Sequence, residues 1–127
     1  KNWKIIPLKD ITQARLIDTL SRSKIFLSFS NLEGIGIPPI EAALSGNKVI
    51  GYIGGGGIEY WKEPIFTKVE NGEIRDFGQK ILSYISENDK NWIKKTSNQR
   101  HKLALQYSKQ EEVNSLIKMT NRISKFF

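Results

Sequence analysis

Residues 24–46, KIFLSFSNLEGIGIPPIEAALSG, place an apolar run, a glycine-containing loop and a proline-led helix start one after another. The near-continuous apolar run at residues 24–30 is typical of a strand buried on both faces of a parallel sheet. Proline is favoured at the start of a helix, and Gly46 stands where a C-terminal cap is expected. The segment therefore predicts a strand, a loop and a helix from about Pro38 to Ser45.

Strands and helices alternate along the rest of the chain. Apolar runs predict three further short strands, at residues 3–8, 48–53 and 65–69. With the strand at residues 24–30, about four strands are expected. Asp10 and Gln13 resemble a capping box, and apolar side chains at helical spacing predict helices that begin near Asp10, Ile74, Asn91 and Val113. This alternation is the pattern of an α/β fold, and we expect a Rossmann-like three-layer sandwich with a mostly parallel sheet.

Composition excludes several kinds of site. The 127 residues are enough for one domain with a core, and the chain has no cysteine and one histidine. Disulfides, thiol catalysis and thiolate metal sites are thereby excluded, and little is left for a zinc site. The net charge of +7 favours anionic partners such as phosphorylated ligands, acidic membrane surfaces or nucleic acid. The basic residues are densest between Lys90 and Lys125, where a plain solvated surface is the simplest interpretation.

The loop after the first strand has the properties of an anion site. In parallel α/β sheets, ligands bind outside the carboxyl ends of the strands, which is where this loop is expected. The first amides of a helix have no partner within it, and they favour a phosphate or diphosphate. Pro38 and Pro39 lack N–H groups, so the donors are expected to be the amides of Gly36 and Ile37. Gly34 and Gly36 let the main chain approach a ligand closely.

Two carboxylates flank this loop, with seven residues between them. Glu41 lies about one turn into the predicted helix, where it can accept hydrogen bonds from a vicinal diol such as the 2′- and 3′-hydroxyls of a ribose. Glu33 precedes the helix and can either bind sugar hydroxyls or stabilise positive charge on an oxocarbenium-like carbon. A phosphate site between two such carboxylates points to a nucleotide sugar.

The same residues resemble a known family. Residues 30–46, SNLEGIGIPPIEAALSG, are similar to the glutamate-x7-glutamate motif of retaining glycosyltransferases of the GT-B fold, in the group 1 (family 4-like) type. A usual family form is S-x-x-E-G-F-G-L-P-x-L-E-A-M-A-x-G, from which the chain departs at Ile35 and at Ala43-Leu44. Residues 48–60, KVIGYIGGGGIEY, look like the family's PVIA…GG…E segment. The resemblance covers residues 10–70 well and the C-terminal helices only loosely.

The resemblance implies that residues 1–127 are part of the C-terminal nucleotide-sugar-binding domain of a GT-B enzyme, with the N-terminal acceptor domain absent. Such an enzyme transfers a sugar from a nucleotide diphosphate sugar to a glycan or lipid-linked acceptor with retention, as in polysaccharide or lipopolysaccharide biosynthesis. It requires no metal or other cofactor. The family's diphosphate-binding Arg and Lys lie upstream of the motif and have no match here, so we expect the isolated chain to be inactive.

The resemblance also implies residue roles. Glu33 is expected near the reaction centre as the catalytic residue, and Glu41 is expected to bind the ribose. The remaining donor-binding positions are Gly34, Gly36 and Ile37 in the motif and, with less fixed roles, Gly55, Gly56 and Glu59 in the later segment.

Two other functions remain open from the residues. A non-catalytic nucleotide-binding module would keep Glu41 and the loop without needing a reaction centre. A nucleic-acid-binding domain would use the basic C-terminal helices, although no nucleic acid partner is expected. Because no signal peptide or spanning helix is predicted, a cytoplasmic location is expected, with contact between Lys118, Arg122 and Lys125 and the anionic inner membrane face as an alternative.

Several residues also have plain structural interpretations. The glycines at 54–57 can form a simple flexible loop. Tyr60 and Trp61 are expected at a core or domain edge rather than stacked on a base or sugar. His101 is expected to be a surface residue of a basic helix. The last apolar stripe, residues 113–127, is expected to serve in packing, either on this sheet or across to the absent domain.

Overall fold

A computed structural model describes residues 2–32, 34 and 36–125. The chain forms two compact units that divide between Asn88 and Asp89. In the described part of the first unit, three strands, β1 (Ile25–Ser28), β2 (Lys48–Gly51) and β3 (Phe66–Lys68), alternate with three helices, α1 (Gln13–Ser21), α2 (Ile37–Leu44) and α3 (Ile74–Glu87). A short 3-10 helix spans Gly56–Glu59, and the second unit contains α4 (Trp92–Gln106) and α5 (Lys109–Ser124).

The strands form one parallel sheet in the order β1-β2-β3, with Phe26 opposite Val49 and Val49 opposite Phe66. The predicted α/β class with a parallel sheet is therefore confirmed. All four residues of the central strand β2 are buried. Ile50 joins a core cluster with Tyr52 and two residues from later elements, Val69 and Phe77 of α3. Packing of α3 on β2 thus stabilises the sheet, since burying each large apolar side chain contributes about 1.5–3 kcal/mol to the free energy of folding.

The carboxyl ends of β1 and β2 approach each other closely at Gly51. Its φ is +150°, and a Cβ at this position would lie 2.0 Å from the carbonyl oxygen of Ser28. That oxygen accepts a hydrogen bond from the amide of Tyr52 at 2.9 Å. Glycine is therefore required where the two strands deliver their loops to the same edge of the sheet.

Asn47, which follows the C-terminal end of α2, links α2 to α1. It is 1% exposed, and its Nδ2 donates to the carbonyl oxygens of Leu20 at 2.8 Å and Ala42 at 3.1 Å. These bonds tie together the ends of α1 and α2. Gly46, with a φ of +96°, follows the C-cap of α2 as predicted.

Some predicted elements are wrong. Residues 3–8 form no strand, and Ile5 is 83% exposed, because a strand requires a hydrogen-bonded neighbour. The N-cap of α1 is Thr12, whose hydroxyl accepts from the amide of Arg15 at 3.2 Å, whereas Asp10 has a left-handed φ of +52°.

The other differences are smaller. Helix α2 begins at Ile37, so its prolines are the second and third residues. The first three residues of β1 are only half-buried, so the prediction of a strand covered on both faces is not met. The glycine run does contain a regular element, because Gly56 and Gly57 open the 3-10 helix.

The second unit consists of two described helices. In α4, Trp92, Thr96 and Leu103 are buried, whereas His101 is exposed, as predicted for a surface residue. On α5, the side chains of Val113, Leu116 and Ile117 are about half exposed and line an open groove. No helix in the described ranges is long and apolar enough to cross a membrane.

Candidate functional site

The loops that follow all three strands meet at an open cleft of about 340 Å³. Asn31 comes from the loop after β1, and the other lining residues come from the segments after β2 and at the end of β3. They are Ile53, Gly54, Gly55, Ile58, Lys68, Val69, Glu70 and Asn71. We call this the carboxyl-edge cleft. In open parallel sheets, ligands bind at this edge, so the topology marks the cleft as a candidate site.

The start of α2 belongs to the same edge. Gly36 is its N-cap residue and has left-handed dihedral angles, φ +74° and ψ +62°, which glycine adopts without strain. Its carbonyl oxygen accepts a hydrogen bond from the Tyr60 hydroxyl at 2.8 Å, which fixes the loop against the segment that follows the 3-10 helix. Ile37, the first helical residue, is 60% exposed. Because Pro38 and Pro39 lack N–H groups, the amides of Gly36 and Ile37 are the donors that this helix start offers.

Glu41 lies in the second turn of α2 and is half-buried. Its Oε1 accepts a hydrogen bond from Nε2 of Gln13 at 3.1 Å, so the carboxylate is directed towards the first turn of α1. A carboxylate has about four acceptor positions, and one bond from an amide leaves capacity for the hydroxyls of a diol. Glu41 does not line the carboxyl-edge cleft, so a ribose bound by it would lie on the α1 side of α2.

The glycine run presents its backbone to the cleft. Gly54 has a φ of +74°, and Gly55 has a φ of +86° with a ψ of −55°, conformations that residues with a Cβ rarely adopt. The position that a Cβ of Gly55 would occupy has no atom within 4 Å, so a ligand can approach the main chain there. Gly56 and Glu59 are the first and last residues of the 3-10 helix that follows.

The aromatic residues after the 3-10 helix support the glycine run from below. Tyr60 and Trp61 are 4% and 8% exposed, and their ring centroids lie 5.1 Å and 5.2 Å from that of Phe66. A Cβ added to Gly57 would lie 3.1 Å from both Ile53 and Trp61. The predicted core-edge position of Tyr60 and Trp61 is therefore confirmed, and neither ring is exposed for stacking on a base or sugar.

The predicted site residues divide into four groups, the first of which is Glu41 alone, hydrogen-bonded to Gln13 of α1. Glu33 lies outside the described residues, as does Ile35. Gly36 and Ile37 lie at the start of α2, joined through Tyr60 to the 3-10 helix that contains Gly56 and Glu59, and Gly34 is exposed beside them with open space around it. Gly55 lines the carboxyl-edge cleft.

Sequence reasoning missed the polar residues of the cleft, which are Asn31, Lys68, Glu70 and Asn71. The signal that could have found them is position, because each stands at or directly after the carboxyl end of a predicted strand. In the part of the chain that the structure describes, His, Asp and Glu residues form no group of three that could hold a metal ion.

Comparison with known proteins adds no relative. No protein-family model, curated protein or solved structure matches this chain.

Proposed function

We propose that this chain is part of the donor-binding domain of a retaining glycosyltransferase, with the Rossmann-like three-layer fold of the C-terminal half of a GT-B enzyme. It binds a nucleotide diphosphate sugar and, with an acceptor-binding N-terminal domain, transfers the sugar to a hydroxyl of a glycan or lipid-linked acceptor. One observation carries the proposal. The left-handed start of α2 and the segment after the glycine run meet at the carboxyl edge of a parallel sheet, linked by the hydrogen bond from Tyr60 to Gly36.

The start of α2 suits the diphosphate. The aligned peptide dipoles of a helix place about half a positive charge at its N-terminus, and anions are stabilised there. The amides of Gly36 and Ile37 supply the hydrogen bonds in this proposal, since the next two residues are prolines. Gly34 and Gly55, each with open space where a Cβ would stand, allow a bulky ligand to reach the main chain.

Glu41 suits the ribose of the nucleotide. Gln13 holds one of its oxygens at 3.1 Å and so limits the orientations that the carboxylate can adopt. An oriented carboxylate can accept hydrogen bonds from two adjacent hydroxyls, and hydrogen bonds to a charged acceptor are stronger than neutral ones. Binding the ribose here would leave the diphosphate at the preceding turn of the same helix.

Glu33 is assigned the reaction centre on the strength of the family resemblance. During transfer, the bond between the anomeric carbon and the phosphate oxygen breaks, and the nucleotide diphosphate leaves with the electron pair. The acceptor hydroxyl forms the new bond to that carbon and gives its proton to an oxygen of the departing diphosphate. A carboxylate beside the sugar stabilises the positive charge that develops on the carbon between these events.

Removing the Glu41 carboxylate tests donor binding. We expect the full-length protein to bind at least one nucleotide diphosphate sugar from a panel of uridine, guanosine, adenosine and thymidine donors in isothermal titration calorimetry. Glu41→Ala should weaken that binding by about 10- to 100-fold, because hydrogen bonds to a charged group are worth about 1.5–3 kcal/mol.

The matched control is Glu87→Ala, at the last residue of α3, which should bind the donor as the wild-type protein does. Helix α3 begins shortly after the carboxyl end of β3 and returns along the sheet, so this carboxylate ends near the opposite edge. Failure of the wild-type protein to bind any member of the panel would contradict the proposal, as would equal binding by Glu41→Ala.

A further inference from the structure

The carboxyl-edge cleft contains an ion pair whose position is not explained by the fold. Lys68 ends β3, and its Nζ lies 2.6 Å from Oε1 of Glu70. Val69, between them, is 1% exposed and belongs to the core cluster. All three residues line the cleft, and the two charged side chains are the exposed ones.

The main chain that carries Lys68 is held firmly. Nζ of Lys80 donates to the Lys68 carbonyl oxygen at 2.6 Å and to Oδ2 of Asp76 at 2.9 Å. The amide of Val69 donates to the carbonyl oxygen of Gly51 at 2.8 Å. These bonds fix the main chain at Lys68, while its side chain remains about half exposed in the cleft.

The charge and the exposed main chain of this cleft indicate which class of ligand it can bind. Among the described residues that line it, Lys68 carries the only positive charge, and the exposed turn at Gly55 lies in the same cleft. An ammonium beside accessible main chain is suited to phosphate oxygens, as in other phosphate-binding loops. Both members of the Lys68–Glu70 pair are more than half exposed, and such pairs contribute little to stability, so a phosphate can take the place of the carboxylate.

We propose that Lys68 binds the diphosphate of the donor and that Glu70 competes with the diphosphate for it. This inference rests on the proposed function, and it supplies a diphosphate-binding cation for which the family resemblance offers no residue in this chain. Lys68 acts as a donor-binding residue that contacts the phosphate oxygens directly. It neutralises the phosphates from the carboxyl-edge cleft, which lies at the same edge of the sheet as the start of α2.

Two substitutions should change affinity in opposite directions. In the full-length protein, Lys68→Ala should weaken binding of the nucleotide diphosphate and of inorganic pyrophosphate by about 10-fold, through loss of one short-range charge. Glu70→Gln should tighten both by about 3-fold, because it releases the lysine without changing the shape of the side chain. If the pair were only structural, both variants would either bind as wild type or bind more weakly.

Lys24→Ala is the matched control. Lys24 is exposed and precedes β1, at the amino edge of the sheet, so its loss should leave binding within 2-fold of wild type at equal ionic strength. Unchanged binding by Lys68→Ala, or weaker binding by Glu70→Gln, would overturn the role of Lys68 while leaving donor binding by the wild-type protein intact. If the wild-type protein bound pyrophosphate through Lys68 but no nucleotide diphosphate, the proposed function would fail and the cleft would remain an anion site.

Discussion

Gly51→Ala is expected to lower the free energy of unfolding by about 3–5 kcal/mol. The new Cβ would lie 2.0 Å from the carbonyl oxygen of Ser28, so β1 and β2 would have to separate at their carboxyl ends. Overpacking of this kind costs about 1–3 kcal/mol, and the positive φ adds a comparable strain. Since small domains are stable by only about 5–15 kcal/mol, the loss should be evident as a much lower urea midpoint in circular dichroism.

Gly78→Ala is the control for that experiment. Gly78 lies inside α3, and a Cβ there would meet no atom within 4 Å. Alanine should therefore stabilise the helix by up to about 1 kcal/mol, because glycine is a poor helix former. If Gly51→Ala unfolded at the same urea concentration as the wild-type protein, that result would contradict the close approach of β1 and β2 at Gly51.

Glu33→Gln is expected to reduce the rate of sugar transfer by about 100- to 1,000-fold in the full-length protein. Glutamine keeps the shape of the side chain but removes the charge that we propose to stabilise the oxocarbenium-like carbon. The loss of one such electrostatic contact has an effect of this size. Donor affinity should change far less than turnover, because the charge on the carbon develops only in the transition state. Release of the nucleotide diphosphate in the presence of acceptor measures the rate.

Glu87→Gln provides the same chemical change at the end of α3 and should leave turnover unaltered. Transfer by Glu33→Gln at the wild-type rate would remove this residue from the reaction centre. If the protein bound a nucleotide sugar but showed no turnover that depended on Glu33, it would be better described as a nucleotide-binding module.

Much of the first unit could be predicted from local pattern. The apolar runs at residues 24–30, 48–53 and 65–69 contain the three parallel strands, although only β2 is buried along its whole length. The apolar run at residues 3–8 failed as a strand because pairing depends on a neighbour, which local composition does not specify. The prediction of Asp10 as the cap of α1 was wrong because Thr12 and Asp10 are both good capping residues. The backbone geometry places Thr12 at the N-cap.

The site was less accessible to sequence reasoning. Gly36 and Ile37 could be placed at the helix start because proline and glycine have strong positional preferences. The contact from Tyr60 to Gly36 spans 24 residues, and that from Gln13 to Glu41 spans 28. Lys68 reaches the cleft only because the parallel register sets the end of β3 beside the end of β2. Contacts of this kind depend on the topology of the fold, and a local sequence motif does not predict them.

Nuclear magnetic resonance can identify which backbone amides lie near the bound donor, from the change in their chemical shifts. A nucleotide diphosphate sugar added to isotope-labelled full-length protein should shift the backbone amides of Gly36, Ile37, Gly54 and Gly55 more than those of α4 and α5. The shifts should saturate together with one dissociation constant. Unchanged amides at these four glycine and isoleucine positions under saturating donor, or shifts confined to residues after Asp89, would contradict donor binding at the start of α2.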